Sequence, residues 1–390
     1  MHEKNPMLIS TIPLRVSRSM PTLCAFGSFD LQGARSWVIR TGMEARGYRI
    51  SYCNTQAKGL WNKHRDLRNR WKECESSADA LYVVFLGHYL MPLAWWLARR
   101  KKIPVIFDAF LSLYDTDVSD RKRYARWHPW AAILWLTDFV ACHLADRILL
   151  DTEEHREYFI RRYHLRPEKV LVLPVGCRTD LFLPIQPSPL SQQGRGQGEG
   201  SGGFTVEFHG TFIPLQGIET ILRAAKILEN HNVRFKMIGK GQTFPAMQKL
   251  AEELALMNIC FLGSLPMEEI PKHIAEADVC LGIFGTTAKA RRVIPTKAYE
   301  IINCSRPLIT AYSAASAHIF HDRESALLVN PGDPQALADA ILLLKNDPLL
   351  ARTIAENGRK YSLEHFQPGM VVGPVVEFLR NVECRIENVE

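Results

Sequence analysis

Basic side chains and one carboxylate gather around a short predicted helix in the second half of the chain. Pro295 and Thr296 open this helix, Thr296–Asn303, which carries Lys297 and Glu300. A basic loop precedes the helix and contains Lys289, Arg291 and Arg292. Backbone N–H groups at a helix start attract anions, and nearby cations strengthen that attraction. The stretch therefore predicts a site for an anionic ligand.

Glu300 extends this site, because it lies about one turn into the helix. A carboxylate there can accept two hydrogen bonds from a cis-diol such as that of a ribose. A diphosphate joined to a ribose would satisfy the cations, the helix start and the carboxylate together. We predict that Lys297 and Arg292 act as catalytic groups on a departing diphosphate. A solvated basic loop and a surface glutamate remain the plain alternatives.

Alternating strands and helices must position these residues. The first series of predicted strands is Thr22–Phe26, Tyr48–Cys53, Ala80–Leu86, Val105–Phe107, Arg147–Leu150 and Val170–Pro174. The second series is Thr205–His209, Arg234–Ile238, Ile259–Leu262, Val279–Phe284, Pro307–Ala311 and Ala326–Val329. Helical patterns separate the strands, and this alternation predicts doubly wound parallel sheets of the α/β class.

Composition divides the chain into segments. We expect a disordered lead-in at 1–20, an acceptor-side domain at 21–185 and a donor domain at 204–367. Residues 186–203 are rich in glycine, serine and glutamine, which predicts a flexible linker. The last segment, 368–390, is predicted to be a helix that packs back on the first domain.

Three positions in the first domain could do chemistry. Gly33 ends a small-residue turn at the end of the first strand, which suits a ligand, although the glycines lack the dinucleotide spacing. His88 follows a strand and could bond the donor sugar or the acceptor. Asp108 follows the next strand and could orient the acceptor hydroxyl or share its proton. A tight turn, a structural histidine and a turn-capping aspartate are the alternatives.

An Asp-x-Asp sequence at Asp115 and Asp117 resembles a metal-binding motif. It follows no clear strand, so we expect no metal site here. The nine cysteines show no C-x-x-C pair, which favours reduced thiols and a cytoplasmic protein. No run of about 18 apolar residues occurs, so we expect no membrane span.

Tryptophans and cations are mixed in three segments of the first half, Trp61–Lys72, Trp95–Lys102 and Arg121–Trp135. Together with the net charge of +7, this favours peripheral contact with an anionic membrane at its cytoplasmic face. Core tryptophans with solvated charges are the alternative. No nucleic-acid recognition module is visible, so no nucleic-acid partner is expected.

Four blocks in order resemble the retaining family-four, or group 1, glycosyltransferases. They are ADRILLDTEEHREYFIRRYHLRPEKVLVLPVGCRTDLFLP, FHGTFIPLQGIETILRAAKIL, VIPTKAYEIINCSRPLIT and LLVNPGDPQALADAILLLKNDP. The resemblance implies a GT-B fold of two Rossmann-like domains facing a cleft. It further implies a nucleotide-diphosphate sugar as donor substrate, a glycan or lipid-linked acceptor, no cofactor and transfer without a metal.

The resemblance also assigns residues to the donor. Glu300 is similar to the second glutamate of the family's E-x7-E motif, which bonds the ribose. The residues facing the diphosphate are Gly210, Thr211, Gln216 and Gly217, and we add Gly239 and Lys240 from the next glycine loop. Leu262 to Leu265 resembles the segment that contacts the base.

The chain departs from the family pattern at several of these positions. Arg292 stands where the first glutamate of E-x7-E would be, and Thr211 and Gln216 replace the usual arginine and lysine. Phe110 stands where many relatives have a histidine. These departures keep a second hypothesis open, a degenerate scaffold that acts as a partner subunit. A nicotinamide oxidoreductase is a third hypothesis that shares the β-α-β layout.

Overall fold

The computed structural model describes residues 20–185 and 203–387. The predicted lead-in and linker lie outside these ranges, apart from Met20 and Gly203. The described strands form two parallel sheets of six strands each, one in each half of the chain. Helices connect successive strands, so the predicted α/β class with two doubly wound sheets is confirmed.

The first sheet has the strand order β2-β1-β3-β4-β5-β6. Its strands are β1 (Thr22–Gly27), β2 (Arg49–Asn54), β3 (Ala80–Val83), β4 (Val105–Asp108), β5 (Arg147–Leu150) and β6 (Val170–Val172). Its helices are α1 (Ala34–Ala45), α2 (Leu60–Cys74), α3 (Met91–Lys101), α4 (Pro129–Leu144) and α5 (Glu153–Tyr163).

The second sheet has the order β12-β11-β10-β7-β8-β9. Its strands are β7 (Phe204–His209), β8 (Val233–Ile238), β9 (Ile259–Gly263), β10 (Val279–Leu281), β11 (Leu308–Ala311) and β12 (Leu327–Val329). Its helices are α6 (Ile218–Ile227), α7 (Phe244–Glu253), α8 (Ile270–Glu276), α9 (Thr296–Asn303), α10 (Ala314–Ile319) and α11 (Pro334–Asn346).

Strand order indicates where a ligand should bind. In open parallel sheets, ligands lie beyond the carboxyl ends of the strands, at the point where the order reverses. In the second sheet that point lies between β7 and β10, which pair through Val206 and Val279. The loop after β10 leads into α9, so the predicted anion-binding helix starts at this switch point.

Strand β10 ends at Leu281, earlier than the predicted Val279–Phe284, although Gly282 and Ile283 still bond to the backbone of β11. Thr310 Oγ1 accepts a hydrogen bond from Ile283 N, at 3.2 Å. Phe284 N then donates to Gln216 O, at 3.0 Å. The backbone after β10 is therefore bonded to the loop after β7, and the two loops that flank the switch point are held together.

Three helices end the described chain: α12 (Pro348–His365), α13 (Pro368–Val371) and α14 (Gly373–Glu387). Helices α13 and α14 return to the first sheet, where Val372 and Val376 share a buried core with Leu23. The Arg147 guanidinium also lies 4.2 Å from the ring centre of Phe378. The C-terminal helices thereby connect the second half of the chain to the first sheet.

Two further features concern membranes and thiols. Among the helices that the structure describes, none is both long and apolar enough to cross a bilayer. The cysteines in the same ranges are free thiols, and most are buried.

Gly42 marks the tightest contact between α1 and the C-terminal segment. A Cβ at Gly42 would lie 2.2 Å from Pro368 O and 2.8 Å from Val372 Cγ1. We expect Gly42→Ala to lower the free energy of unfolding by about 1–3 kcal/mol, since overpacking outweighs alanine's better helix propensity. Urea denaturation measures this change.

Gly373→Ala is the matched control for that substitution. A Cβ at Gly373 would meet no atom within 4 Å, so this variant should be neutral or slightly more stable. Equal stability of the two variants would show that the close packing of α1 against Pro368 is not required.

Candidate functional site

A buried row of acid, histidine and acid lies at the switch point of the second sheet. Glu207 and His209 are two residues apart on β7, so their side chains lie on the same face of the strand. His209 Nδ1 donates to Glu207 Oε1 at 2.9 Å, and its Nε2 donates to Glu300 Oε2 at 3.0 Å. Glu300 is thus held in place from the sheet side.

The two carboxylates decide the charge of the histidine. Burial by itself would lower the pKa of His209. The charges and hydrogen bonds of Glu207 and Glu300 outweigh burial and raise that pKa to about 9. His209 is therefore an imidazolium at neutral pH and donates from both ring nitrogens.

Lys297 lies beside this row with its ammonium group buried. Its Nζ is 3.4 Å from the ring centre of Phe208 and has no hydrogen-bond partner among the described residues. Burial lowers its pKa well below the usual range, and the attraction of Glu207 and Glu300 offsets this only in part. A buried amine without an acceptor is costly, so this position favours an incoming anion.

A gap in front of Lys297 exists because residue 210 is glycine. A Cβ at Gly210 would lie 3.6 Å from Lys297 Nζ and 3.8 Å from the side-chain amide of Gln216. Gln216 is buried, and its Oε1 also lacks a partner in the described part of the chain. Two unsatisfied polar groups therefore converge on one small space.

Glycines allow the surrounding loops to approach each other. Gly239 has φ +130°, and a Cβ there would lie 1.9 Å from Gly210 O. Gly239 N donates to Gly263 O at 2.6 Å, which joins the ends of β8 and β9. Gly217 has φ +66°, and a Cβ there would lie 2.4 Å from the backbone of Phe284.

The other predicted donor-binding residues surround this space less closely. Thr211, Lys240 and Leu262 are exposed at the ends of the neighbouring strands, and Leu265 is half-buried. Pro295 occupies the N-cap of α9, one position before the helix, rather than its first turn. Thr296 is the first helical residue, so the helix range Thr296–Asn303 is as predicted.

The basic loop before α9 contacts the first domain. Lys289 Nζ donates to Thr116 Oγ1 at 2.6 Å, and Arg292 donates to Asp115 at 2.7 Å. The Arg292 guanidinium also lies 4.1 Å from the ring centre of Tyr158. Two of the cations predicted for a diphosphate are therefore bound between the domains, whereas Arg291 is exposed.

The Asp-x-Asp sequence forms the other side of this contact. Asp115–Asp120 is a turn of π-helix, and Asp117 pairs with Arg123 at 3.3 Å. Asp120 accepts a hydrogen bond from Thr287 Oγ1 at 2.8 Å. No group of three or more acids, histidines or cysteines within the described ranges is arranged to hold a metal.

We expected Asp108 to be accessible to an acceptor in the cleft, but the structure places it elsewhere. It is fully buried, with Arg35 donating to it at 2.8 Å and Tyr82 OH donating at 2.8 Å. Burial and the charge of Asp108 raise the pKa of Tyr82 well above its usual value. A substrate could reach Asp108 only by breaking this network, so the geometry favours a structural role.

His88 is also buried, although we expected it to face the cleft. It belongs to a 3-10 turn, Gly87–Leu90, and its Nε2 donates to Leu111 O at 3.1 Å. Burial lowers the pKa of His88 despite the nearby Asp138, so the ring is neutral. The residue packs edge-on against Phe107 and supports the loop after β4.

Gly33 lies between β1 and α1, where it is the residue before the helix. The loop is closed by Asn54, whose amide oxygen accepts from Phe29 N at 3.1 Å. Arg178 donates to Gln32 Oε1 at 3.1 Å. Gly33 is therefore near the carboxyl end of the first sheet, where a Cβ would meet only Asp30 O among the described residues.

Sequence reasoning missed Glu207 and His209, although a signal was present. Strand β7 is central in a parallel sheet covered on both faces, and such strands are normally apolar throughout. Two ionisable residues at positions i and i+2 of this strand share one face. Their presence immediately before Gly210 could have indicated a buried polar site.

A cavity of about 550 Å³ lies beside this cluster. It is bounded by Glu219, Arg223 and Thr286 and shares the backbone of Gly217 with the glycine loop. Neither Lys297 nor Glu300 lines it, so it is separate from the row of ionisable groups.

Asp108 provides a test of its structural role. We expect Asp108→Asn to lower the free energy of unfolding by about 3–5 kcal/mol, because Arg35 would remain buried without its countercharge. Urea denaturation measures this loss, with Asp339→Asn as an exposed control of the same type. If the Asp108→Asn variant kept its stability but lost activity, a catalytic role of Asp108 would be supported instead.

His209 makes stability depend on pH. Its folded pKa of about 9 lies above its ordinary value of 6.5, so its stabilisation is complete below pH 6.5 and is lost as pH rises through 9. We expect His209→Gln to cost on the order of 3 kcal/mol at the acid end of this window and progressively less toward the alkaline end.

Urea denaturation across that window checks this prediction, and His231→Gln replaces an exposed histidine as the control. A stability difference that stays constant with pH would contradict the assigned imidazolium.

Two protein families match the two halves of the chain. Residues 195–361 match the family described as glycosyl transferases group 1, and residues 22–176 match the glycosyl transferase 4-like domain. The two matches correspond to the second and first sheets.

Individual relatives agree with these matches. The putative glycosyltransferase EpsD of Bacillus subtilis is 25% identical over 284 residues, which cover 71% of this chain and 70% of EpsD. The probable glycosyltransferase WbjE of Pseudomonas aeruginosa is 30% identical over 205 residues, which cover 50% of this chain and 49% of WbjE. The chain thus spans about half the length of several curated relatives it matches.

The fold is shared with solved structures. The HepE protein of Anabaena, crystallised with UDP and glucose, superposes with a TM-score of 0.68 at 17% identity, covering 93% of this chain and 99% of HepE. Sucrose-phosphate synthase of Thermosynechococcus elongatus superposes with a TM-score of 0.71 at 15% identity, covering 94% of this chain and all of that chain. The second half of the chain therefore belongs to the group 1 glycosyl transferases and the first half to the glycosyl transferase 4-like domains. Together they have the GT-B architecture of two α/β domains.

Proposed function

We propose that this protein transfers a sugar from a nucleotide-diphosphate sugar to a glycan or lipid-linked acceptor, with retention of configuration. Family membership and the GT-B architecture support the reaction class. UDP is the first nucleotide to test, because HepE was crystallised with it. The position of Glu300 supports a ribose contact, since its carboxylate is held by His209 at 3.0 Å.

One observation carries the proposal: the buried Lys297 amine lacks a hydrogen-bond acceptor among the described residues and borders the gap at Gly210. A diphosphate in this gap would supply the missing acceptor. It would also restore the proton that burial disfavours, because an adjacent anion raises the pKa of an amine. The start of α9 adds backbone N–H groups on the same side.

The proposed reaction breaks the bond between the sugar C1 and the diphosphate oxygen. A new bond forms between C1 and the acceptor hydroxyl oxygen on the same face. The hydroxyl proton passes to the departing diphosphate, so no protein base is required. Lys297 stabilises the negative charge that develops on the leaving group.

The cations between the domains take a different part in this proposal. Arg292 and Lys289 already bind Asp115 and Thr116, so they orient the domains around the donor edge. Arg291 is exposed next to them and is available to the diphosphate. Lys297 therefore replaces the missing arginine and lysine of the family pattern as the principal cation.

Lys297→Met separates binding from stability. We expect the fold to be at least as stable, because an unpaired buried amine is removed, while affinity for the nucleoside diphosphate falls roughly 10- to 100-fold. Calorimetry with UDP, GDP and ADP and thermal unfolding measure the two effects. Lys249→Met, on the exposed face of α7, is the control.

Glu300→Gln tests the ribose contact. The amide keeps an oxygen for His209 but loses the charge, so donor affinity should fall roughly 10- to 100-fold with little change in melting temperature. If Lys297→Met and Glu300→Gln both left the donor affinity unaltered, this pocket would not be the donor site.

Turnover distinguishes the enzyme from a scaffold. Incubation with nucleotide sugars should release the nucleoside diphosphate, with and without a chelator, since we propose transfer without a metal. Donor binding with neither hydrolysis nor transfer would favour the degenerate scaffold instead. Stabilisation by NAD and by no nucleoside diphosphate would favour an oxidoreductase.

A further inference from the structure

Helix α4 of the first domain turns an apolar face outward. Its inward face packs through Ala131, Leu134 and Ala141. Its outward face carries Trp130, Ile133, Leu136 and Val140, all exposed. The helix has no lysine or arginine, and its only carboxylate, Asp138, is buried. A surface helix normally carries charged groups on its outer face, so this apolar stripe is unusual for a surface that faces water.

Cations and tryptophan flank the start of the stripe. Trp127 is 89% exposed and Trp130 is 50% exposed. The same loop exposes Lys122, Arg123 and Arg126. Tryptophan next to an apolar surface, with basic residues beside it, matches the composition of segments that lie in the headgroup region of a bilayer.

A second helix of the first domain also exposes a tryptophan. Trp61 in the first turn of α2 is 80% exposed. His64, one turn later, contacts Tyr89 O through its Nε2 at 3.0 Å. This contact joins the start of α2 to the turn Gly87–Leu90. Trp61 is therefore exposed on a different helix and is not part of the stripe on α4.

Only some of the predicted aromatic segments contribute. Trp71 is a core residue, and Trp135 is half-buried against Tyr163. Trp96 is covered by Arg68 and Arg100, whose guanidinium groups lie 5.3 and 4.8 Å from its ring centre. The structure therefore divides the tryptophans into packed residues and a localised exposed group.

The stripe begins beside the contact between the two domains. Asp120 binds Thr287, and Gln242 donates to Arg121 O at 3.1 Å. The exposed tryptophans follow within the next ten residues of the chain. A flat surface that covered the stripe would therefore lie next to the edge where the donor domain meets the acceptor domain.

We propose that this surface, formed by Trp127 and the outward face of α4, docks the protein on an anionic membrane. The apolar stripe enters the headgroup layer, and Lys122 and Arg126 bind anionic lipid. This inference rests on the proposed function with a lipid-linked acceptor. The position of the surface suits such an acceptor, because a lipid in the membrane would hold it at the domain junction. Docking itself requires neither donor nor turnover, so the two proposals can fail separately.

Vesicle flotation with the full chain tests this proposal. We expect vesicles of phosphatidylcholine with about a quarter phosphatidylserine to bind at least about tenfold more tightly than phosphatidylcholine alone, and less tightly as salt rises. The triple variant Trp127→Ser, Trp130→Ser, Leu136→Gln should lose at least about tenfold in this affinity. Its melting temperature should not fall, because the three side chains are exposed.

Matched control variants distinguish docking through this surface from nonspecific adsorption to vesicles. Met257→Gln and Leu349→Gln remove exposed apolar side chains from the second half of the chain, and neither should change vesicle binding. Arg126→Gln should weaken binding to anionic vesicles about fivefold, while Arg352→Gln should not.

Two results would overturn the proposal. One is vesicle binding that is absent, or that is unchanged in the triple variant. The other is a lipid-free dimer in sedimentation experiments that the triple variant dissociates, since the stripe would then cover a second copy of the chain.

Discussion

Burial of charge at the end of β7 is the constraint on which the candidate site depends. His209 lies between Glu207 and Glu300 as an imidazolium and donates a hydrogen bond to each of them inside the protein. Lys297 is left with an aromatic ring and no hydrogen-bond acceptor in the described chain. The hydrogen bonds of the row are satisfied within the protein, whereas the amine beside it lacks an acceptor, and that difference supports the proposal of an anionic ligand.

The contact between the domains depends on the same loop as the site. Arg292 and Lys289 belong to the segment that leads into α9, and both are bonded to the turn Asp115–Asp120 of the first domain. The groups that we propose for donor binding and the groups that join the domains are thus only a few residues apart. A movement of this loop on donor binding would therefore also change the domain contact.

The buried polar networks of the first domain stabilise the region at the ends of its strands and do not face the cleft. Arg35 and Tyr82 hold Asp108 beneath the ends of the strands. Asp138 accepts hydrogen bonds from Ser112 and Tyr163 and so anchors the loop after β4 to α4. These networks fix the helix whose outer face is apolar. The first domain is therefore characterised by its exposed surface, and the second domain by its buried charges.

The sequence alone was sufficient for the α/β class, the two sheets, the helix Thr296–Asn303 and its family, because strand and helix periodicity and local motifs are properties of neighbouring residues. It could not show that His88 and Asp108 are buried, that Lys289 and Arg292 bind the other domain, or that His209 holds Glu300. Each of these facts is a contact between residues from 23 to 177 positions apart along the chain. Such contacts follow from how the elements pack, and packing also decided which tryptophans became core and which remained exposed.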